Sequence, residues 1–175
     1  MILSDIDIKK FMVDGDIGID QYDESMLKGG SYTFSLNNIL YIPKTYDCLD
    51  VNDLKVDFEK IEMNENGFII NPGDFLLGQI KEKLSISQKI VCKLDARTTL
   101  ARIGLNVLQG STFVEPGQTD SHETLEINNI GKSPIRIYPN IKIAKGIFFL
   151  LHTPSEQNYS EQGSYKKQSD AQVIA

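Results

Sequence analysis

The sequence lacks several features that would place it in common functional classes. It has 175 residues with no tryptophan, two histidines and two cysteines, Cys48 and Cys92. The cysteines do not share a CxxC spacing, so neither a zinc-binding motif nor a disulfide framework is indicated. We therefore expect both cysteines to be reduced, and we expect Cys92 to be buried because it lies in an apolar strand pattern.

Long apolar runs and an excess of positive charge are also missing. The longest apolar run covers residues 147–151, far short of the roughly 20 residues that a membrane helix needs. The amino terminus has neither the basic start nor the apolar stretch of a signal peptide, so we expect a soluble, cytoplasmic protein that binds no membrane. With 18 Lys and Arg against 24 Asp and Glu the net charge is -6, which argues against a general nucleic-acid binder.

The apolar pattern predicts a mainly β protein. Ser4 can cap a short helix over residues 5–14 that ends at Gly15. Residues 31–36 alternate between apolar and polar side chains, as in a strand. Further short apolar segments, separated by turn signals, lie at 39–42, 67–70, 75–80, 90–94, 104–108, 124–127, 135–137 and 141–151. We predict a single domain over residues 1–175 with an all-β sandwich, jelly roll or distorted barrel, one short amino-terminal helix and one short helical turn.

The last part of the chain differs in composition from the rest. Residues 153–169 are polar and contain no aliphatic side chain, but they include Tyr159 and Tyr165. A purely solvated tail has little reason to carry two aromatic residues. We predict that residues 153–175 form a tail outside the core.

Residues 97–102 are the first candidate binding segment. Two arginines flank Thr98 and Thr99 at the point where a predicted strand ends. Free amides at a helix start, hydroxyl groups and guanidinium groups all donate hydrogen bonds to anions, so the segment is a candidate phosphate cradle. Such spacing occurs more often in an ordinary capped turn with surface arginines. The spacing alone therefore leaves both interpretations open.

Glu126 is the first candidate catalytic residue. Alternation along residues 124–127 places Leu125 and Ile127 on the core face and Glu126 on the opposite face. A carboxylate in that position can act as a general base, although a solvent-facing strand residue is the commoner case.

Other polar residues near the Pro-Gly turn at 116–117 include Glu115, Asp120, His122 and Glu123. The His122-Glu123 pair lacks the Pro-Cys-x-x-Cys partner of a zinc deaminase. Neither His122 nor His152 lies in the context of a nucleophile elbow. The sequence therefore predicts neither a zinc site nor a Ser-His-Asp triad.

Several segments together resemble the dCTP deaminase family. Residues 97–105, RTTLARIGL, are similar to its R-S-S-L-A/G-R-L/V-x-L signature, with threonine at both serine positions. The other similar segments are MILSD at 1–5, SYTFSL at 31–36, FVEPG at 113–117, TLEI at 124–127, and YSE at 159–161 with YKKQ at 165–168. They follow the family's order over nearly the whole chain, which makes the joint resemblance far more specific than any one motif.

The resemblance implies a fold and an activity. The fold would be the dUTPase-like distorted jelly-roll β-barrel, assembled as a homotrimer with active sites at subunit interfaces. The activity would be zinc-independent hydrolytic deamination of dCTP to dUTP and ammonia, a hydrolase reaction of pyrimidine deoxynucleotide metabolism. The ligands would be dCTP and dUTP, with dTTP a candidate inhibitor, and Mg²⁺ would bind through the triphosphate rather than at a protein metal site.

The resemblance also implies catalytic roles. Glu126 would take a proton from the water that attacks C4 of cytosine and would then deliver protons to the leaving ammonia. Arg102 and the Thr98 hydroxyl would position the water or stabilise developing charge. The segment that holds the triphosphate and approaches the base would consist of Arg97, Thr98, Thr99, Leu100, Ala101 and Arg102.

The remaining implied roles concern sugar, base and lid. Glu115 would bind the deoxyribose 3′-hydroxyl, and backbone groups of Thr124 and Leu125 would read the pyrimidine edge. Tyr159 and Gln168 would belong to a lid, formed by the tail, that closes over the nucleotide and excludes water.

Departures from the family pattern leave other functions open. Glu115 replaces an aspartate, the segment 118–123 is one residue longer than the family's turn, and Ser111, Lys145 and Ser164 stand at altered positions. A bifunctional deaminase and diphosphatase that forms dUMP is one alternative, and a plain dUTPase is another, although the latter's Tyr-bearing and Gly-rich motifs are missing from the sequence. A catalytically silent trimer that binds nucleotides or a protein partner is the alternative of a different class.

Overall fold

The computed structural model describes residues 1–108 and 110–162, which form mostly β-structure. Its strands are β1 Ile17–Ile19, β2 Leu27–Lys28, β3 Ser31–Ser35, β4 Ile39–Pro43, β5 Phe58–Glu62, β6 Phe68–Ile70, β7 Phe75–Gln79, β8 Leu84–Ile86, β9 Ile90–Ala96, β10 Leu105–Asn106, β11 Phe113–Val114, β12 Thr124–Asn129, β13 Ile135–Ile137 and β14 Lys142–Leu150. The helices are α1 Asp5–Val13, α2 Thr98–Ala101 and α3 Tyr159–Gln162, with a 3-10 turn at Glu24–Met26. Within the described ranges, none of the helices has the length and apolar character needed to cross a membrane.

Two five-stranded antiparallel sheets enclose one hydrophobic core. Their strand orders are β10-β12-β7-β4-β5 and β11-β9-β14-β3-β2, and the smaller pairs β1-β8 and β13-β6 complete the structure. Side chains from both large sheets, among them Phe34, Leu40, Ile127 and Phe148, belong to the same buried cluster. The predicted mainly β, jelly-roll-like class is confirmed, but the sheets of the described residues remain two layers and do not close into a barrel.

Helix α1 confirms the helix predicted at residues 5–14. The Ser4 hydroxyl accepts a hydrogen bond from the Asp7 N–H at 3.2 Å, and the Asp7 carboxylate accepts one from the Ser4 N–H at 3.0 Å. This reciprocal capping box satisfies amides that have no partner within the helix. Ile8 is fully buried, and the next residue past the cap, Gly15, has a φ of +79°, which ends the helix.

The alternation in β3 is confirmed on one face and modified on the other. Tyr32 and Phe34 are fully buried, as the apolar pattern predicts. Thr33 and Ser35 are buried as well. The Ser35 N–H donates to the buried Glu82 carboxylate at 2.9 Å, which compensates part of the cost of burying a polar strand face.

The sequence pattern does not predict β1, β2, β5, β8 or β11. All of them except β5 have only two or three residues, and the pairings β1 with β8 and β9 with β11 join segments that are far apart in the chain or separated by a helix. Local propensity carries little information about such strands, because the pairing partner decides whether they form.

The pairing of β12 with β7 decides which way the β12 side chains point. Leu125 lies opposite Gly78 and Glu126 opposite Leu77. Leu125 and Ile127 are completely buried in the core, so Glu126 projects from the outer face of the sheet, as predicted.

A buried asparagine fixes the carboxyl end of β12. The Asn129 side-chain amide donates to the carbonyl oxygens of Ile70 at 2.9 Å and Ser133 at 2.8 Å, and its oxygen accepts from the Gly131 N–H at 2.9 Å. All of these partners belong to the turn and strand that flank β12. The residue therefore ties the end of the strand to its surroundings.

Gly146 gives a prediction about packing. A Cβ added there would lie 2.6 Å from Phe34 Cε2 and 3.0 Å from Cys92 Sγ, both of which are buried. We expect Gly146→Ala to lower the free energy of unfolding in urea by about 1–3 kcal/mol through overpacking. Gly29→Ala is the control, since nothing lies within 4 Å of its added Cβ. Equal stabilities of the two variants would contradict the packing described for β14.

Candidate active site

A cavity of about 570 Å³ lies against the amino-terminal half of β12. One wall is the outer face of β7 and β12, and the segment that leads from β4 to β5 covers another part. The apolar lining includes Leu49, Leu54, Phe75, Leu77 and Phe113, and the polar lining consists of Ser111, Thr112, Gln118, Glu123, Thr124 and Glu126. A mostly apolar pocket with a few convergent polar groups is typical of a small-molecule site.

Glu126, which lines this cavity, carries an unsatisfied acceptor. Its Oε2 is buried and has no hydrogen-bond partner among residues 1–108 and 110–162. Leaving such an acceptor unpaired in the interior costs about 1–3 kcal/mol. A ligand or water that donates an N–H or O–H to this oxygen would remove that cost.

Glu123 brings a second carboxyl group to the same cavity. Its Oε1 accepts a hydrogen bond from Gln118 Nε2 at 3.3 Å. Burial raises the pKa of Glu123 to about 7, and its hydrogen bond with Gln118 opposes this rise only in part. At neutral pH the group is therefore close to the midpoint between its protonated and ionised forms.

Gln118 is itself buried at 4% exposure, and it lines the cavity beside Glu123. While its amide nitrogen donates to Glu123, its Oε1 is buried without a partner in the described part of the chain. The cavity thus has unpaired acceptors from two side chains, Gln118 and Glu126.

The chain path is irregular next to Glu123. Thr124 pairs with Gln79 and Ser121 with Leu84, which leaves a shorter connection on the Glu123 side than on the opposite strand. Such an irregularity changes the direction of the side chains next to it, as a β-bulge does. Strict alternation from Glu126 places Glu123 on the core face, so the sequence pattern alone does not assign it to the site.

The neighbouring His122 points elsewhere. Its Nδ1 lies 3.2 Å from the Ile80 carbonyl oxygen, and the residue does not line the cavity. The adjacent side chains of His122 and Glu123 therefore face different parts of the structure.

The segment Arg97–Arg102 lies outside the cavity lining. Arg97 is the N-cap of α2 without a side-chain cap, and the first helical hydrogen bonds run from the Leu100 and Ala101 amides to its carbonyl. Neither threonine caps this turn, because Thr98 is already the first helical residue and a capping side chain must come one position earlier.

The side chains of this segment are mostly accessible. Thr98, Thr99, Ala101 and Arg102 are exposed, whereas Leu100 packs against the core. Arg97 is half-buried and donates from Nη1 to the Lys142 carbonyl oxygen at 3.0 Å. That bond fixes the direction of the guanidinium group and leaves its other N–H donors for a ligand.

The predicted site residues therefore fall into two places within one chain. Thr124 and Glu126 line the cavity, and Leu125 is buried behind them in the core. Glu115 is exposed just after β11, and neither it nor the segment Arg97–Arg102 is among the lining residues of the described cavity. One copy of the chain does not bring the candidate phosphate cradle and the candidate base together.

The start of the tail packs on the Pro-Gly turn that follows Glu115. The Tyr159 N–H donates to the Pro116 carbonyl at 3.2 Å, and the Ser160 N–H donates to the Gly117 carbonyl at 3.3 Å. Gly117 has a φ of +82°, and an added Cβ there would collide with the Asn158 side chain. The predicted lid residue Gln168, like Tyr165, lies outside the described residues.

Comparison with known proteins shows to which family the sequence belongs. The sequence model of the dCTP deaminase-like family matches residues 2–151. The chain belongs to this family. It is 32% identical over 163 residues to the "dCTP deaminase, dUMP-forming" of Tropheryma whipplei, with 91% of this chain and 83% of the relative covered. It is also 32% identical over 182 residues to the protein of the same description from Methanosphaera stadtmanae, with 98% and 92% covered.

Solved structures show the same fold for this dCTP deaminase-like chain. The 2′-deoxycytidine 5′-triphosphate deaminase of Agrobacterium tumefaciens matches with a TM-score of 0.66 at 16% identity, over 86% of this chain and 48% of that one, so our chain spans about half of its length. A dUTPase of Staphylococcus bacteriophage 80alpha matches with a TM-score of 0.51 at 10% identity, over 91% and 98% of the two chains. The family and the dUTPase-like fold predicted from the motifs are confirmed, and the chain is an enzyme of this family.

The buried carboxyl of Glu123 gives a prediction about stability. Its folded pKa of about 7 lies above the ordinary value of 4.5, so between these pH values the folded chain retains a proton that the unfolded chain releases. The stabilising contribution of the protonated form is present below pH 4.5 and is lost as the pH rises through 7. We expect wild type to lose on the order of 1–3 kcal/mol of unfolding free energy relative to Glu123→Gln over this range.

Urea unfolding at a series of pH values measures this difference. Asp120→Asn is the matched control, because it removes an exposed carboxylate from the same turn and keeps a residue that tolerates the observed φ of +52°. Its curve should run parallel to that of wild type. A parallel curve for Glu123→Gln would show that Glu123 is not protonated in the folded state.

Proposed function

We propose that the protein is a cytoplasmic homotrimeric enzyme that deaminates dCTP and carries the product on to dUMP. The observation that carries the deaminase part is the buried, unpartnered Oε2 of Glu126 in a mostly apolar cavity, on the strand that matches the family's T-L-E motif. The descriptions of the relatives as dUMP-forming support the second part. Formation of dUTP as the final product is therefore the less favoured version of the same proposal.

In the proposed mechanism Glu126 acts as a general base without zinc. Its carboxylate takes one proton from a water molecule while the water oxygen bonds to C4 of cytosine. The proton passes to N3 of the ring, and the C4–N4 bond then breaks with transfer of a second proton to the departing amine, which leaves as ammonia. The apolar walls at Phe75, Leu77 and Phe113 limit access of other water and strengthen the electrostatic interactions inside.

The second step consumes another water molecule. Hydrolysis of dUTP between the α- and β-phosphates gives dUMP and diphosphate. The Mg²⁺ ion enters with the triphosphate as part of the substrate and shields its charge.

We propose that a neighbouring subunit completes the site. The segment Arg97–Arg102 is accessible on the surface and separate from the Glu126 cavity, so it can serve a cavity of another copy. Because the whole chain has a net charge of -6, attraction of a triphosphate requires a local group of cations such as Arg97 and Arg102. Arg102 and Thr98 would then lie next to the attacking water, and Arg97 would hold the phosphates.

The other site residues keep the roles that the resemblance implies. Glu115 would bind the 3′-hydroxyl, and the backbone of Thr124 and Leu125 would read the base. The tail, with Tyr159 and Gln168, would close over the nucleotide, and the packing of residues 159–160 on the turn after Glu115 supports a lid that starts near the sugar. Inhibition by dTTP stays a prediction.

A plain dUTPase is the second candidate function. The unpaired acceptors of Gln118 and Glu126 favour the deaminase, because acceptors fit the amino group of cytosine and an attacking water, whereas the 4-oxo group of uracil accepts hydrogen bonds itself. A catalytically silent trimer gives no reason to keep an unsatisfied carboxylate oxygen in a cavity.

Substitution of Glu126 tests the activity. Wild type incubated with dCTP and Mg²⁺ should release ammonia and form dUMP. Ammonia is measured directly in the reaction mixture, and dUMP is measured by chromatography of the nucleotides. Glu126→Gln should bind dCTP but lose about 10²–10⁴-fold of the turnover, the usual contribution of a general base. Glu59→Gln, an exposed glutamate on β5 of the same sheet, should behave as wild type. Release of no ammonia by wild type would refute the proposed deaminase.

Substitution of Arg97 tests the phosphate cradle. Arg97→Ala should weaken dCTP binding by about 1.5–3 kcal/mol, because a hydrogen bond to a charged group is lost. Binding of deoxycytidine, which has no phosphate, should hardly change. Arg136→Ala is the control, since Arg136 also donates from Nη1 to a backbone carbonyl, that of Asn66. Calorimetric titration measures both ligands, and an equal loss for nucleoside and triphosphate would move Arg97 away from the phosphates.

Mixed assemblies test the subunit interface. Arg102→Ala and Glu126→Gln should each be nearly inactive alone. After refolding together in equal amounts, about one quarter of the sites in randomly assembled trimers should combine an intact Arg102 from one subunit with an intact Glu126 from the next. Recovery of ammonia release to about that fraction is the expected result. Activity no higher than the sum of the parents would place both residues in the site of a single chain.

A further inference from the structure

Two glutamates of unlike surroundings line one cavity, and the proposed mechanism uses only one of them. Glu126 lies on the regular part of β12, whereas Glu123 lies on the irregular connection before it. Oε2 of Glu126 has no protein partner in the described residues, while Oε1 of Glu123 is held by the Gln118 amide. Paired carboxyl groups whose environments differ in this way are typical of a divided acid and base function.

We infer that Glu123 is a second acid-base residue of the site, which gives its proton to the departing amine while Glu126 receives the proton of the attacking water. The inference rests on the proposed deaminase function. It assigns a role to the lengthened turn at residues 118–123, since both Gln118 and Glu123 of this turn line the cavity.

The proton balance of the reaction fits two groups. Glu126 takes the first water proton and transfers it to N3 as the C4–O bond forms. Glu123 gives its own proton to the amino nitrogen, the C4–N4 bond breaks with its electron pair on nitrogen, and ammonia leaves. The remaining hydroxyl proton on C4 passes to the Glu123 carboxylate as the C4 carbonyl forms, so both glutamates return to their starting states.

Gln118 is the positioning residue of this pair. Its amide nitrogen holds Glu123 at 3.3 Å, and its buried, unpartnered Oε1 is an acceptor for one hydrogen of the 4-amino group. Bound in this way, the amine would lie beside the carboxyl group that protonates it. The arrangement also favours cytosine over uracil, because a 4-oxo group would face the lone pairs of Gln118.

The groups around Glu123 leave its proton available. From β9 it faces the buried Cys92, from the same turn Ser121 and Gln118, and Glu126 lines the same cavity. Cys92 is held in its neutral thiol form because burial raises its pKa. His122 lies next in the chain but is directed at the Ile80 carbonyl. Burial raises the pKa of Glu123 to about 7, which suits a group that gives and regains a proton near neutral pH.

The test is the pH dependence of kcat for ammonia release from dCTP. In wild type kcat should fall as the pH rises through the range in which Glu123 ionises. Glu123→Gln should lower kcat by about 10²-fold or more, keep KM within about threefold, and lose this descending limb. Glu123→Asp retains a carboxyl group and should regain part of the rate together with the limb. Asp120→Asn, in the same turn but outside the cavity, should keep the wild-type profile.

Gln118→Met tests the pH at which kcat falls, which would not change if Gln118 had a purely structural role. Since Gln118 donates to the ionised form of Glu123, its removal favours the protonated form and should shift the descending limb to higher pH. This measurement also keeps the inference testable if Glu123→Gln does not fold, which circular dichroism and dCTP binding would reveal. An unshifted limb in Gln118→Met would count against it.

The outcomes separate this inference from the proposed function. If wild type releases no ammonia, the proposed function fails. If wild type is active and Glu123→Gln retains the full rate, or retains an unchanged descending limb, the deaminase stands and the role of Glu123 is overturned. Two results together support Glu123 as the second acid-base residue. Glu123→Gln should lose both the rate and the descending limb of the pH profile, and Gln118→Met should shift that limb to higher pH.

Discussion

The register between β12 and β7 is the constraint on which the rest of the site depends. Placing Leu125 opposite Gly78 and Glu126 opposite Leu77 buries Leu125 and Ile127 completely and leaves the carboxylate on the outer face. A slip by one residue would exchange the two faces, expose both apolar side chains and bury the charge. Hydrophobic burial in the core therefore holds the catalytic candidate in position, and the hydrogen bonds of Asn129 keep the end of the strand from shifting.

Much of this arrangement could be predicted from the sequence because it follows from local patterns. The capping box at Ser4 and the alternation around Glu126 are short-range signals, and both are observed. The motifs at 97–105, 113–117 and 124–127 are sufficient to indicate the family from the sequence. The sequence could not show that Thr33 and Ser35 are buried, because burial of a strand face depends on distant parts of the chain, such as Glu82 beside Ser35.

The parts that sequence reasoning missed depend on pairing between distant residues. Glu123 carries no local signal, since alternation from Glu126 assigns it to the core face, and only the three-dimensional structure shows that it lines the cavity. The extra residue in the segment 118–123 was the available hint. The separation of Arg97–Arg102 from the Glu126 cavity is likewise invisible in a motif, because a motif gives the order of residues and not the copy of the chain in which they meet.

The cavity also shows how the cost of a buried carboxyl can be matched to a reaction. Burial of Glu123 disfavours its ionised form, a penalty that an apolar side chain in the same place would not carry. The same desolvation keeps a proton on the group near neutral pH, while Glu126, on the regular strand, offers an unpaired acceptor to the water. Two identical side chains, three positions apart, thus have different surroundings, because one lies on a paired strand and the other on an irregular connection. A substrate whose reaction needs one proton removed and one proton supplied fits this difference, and that fit follows from the backbone path rather than from the identity of the residues.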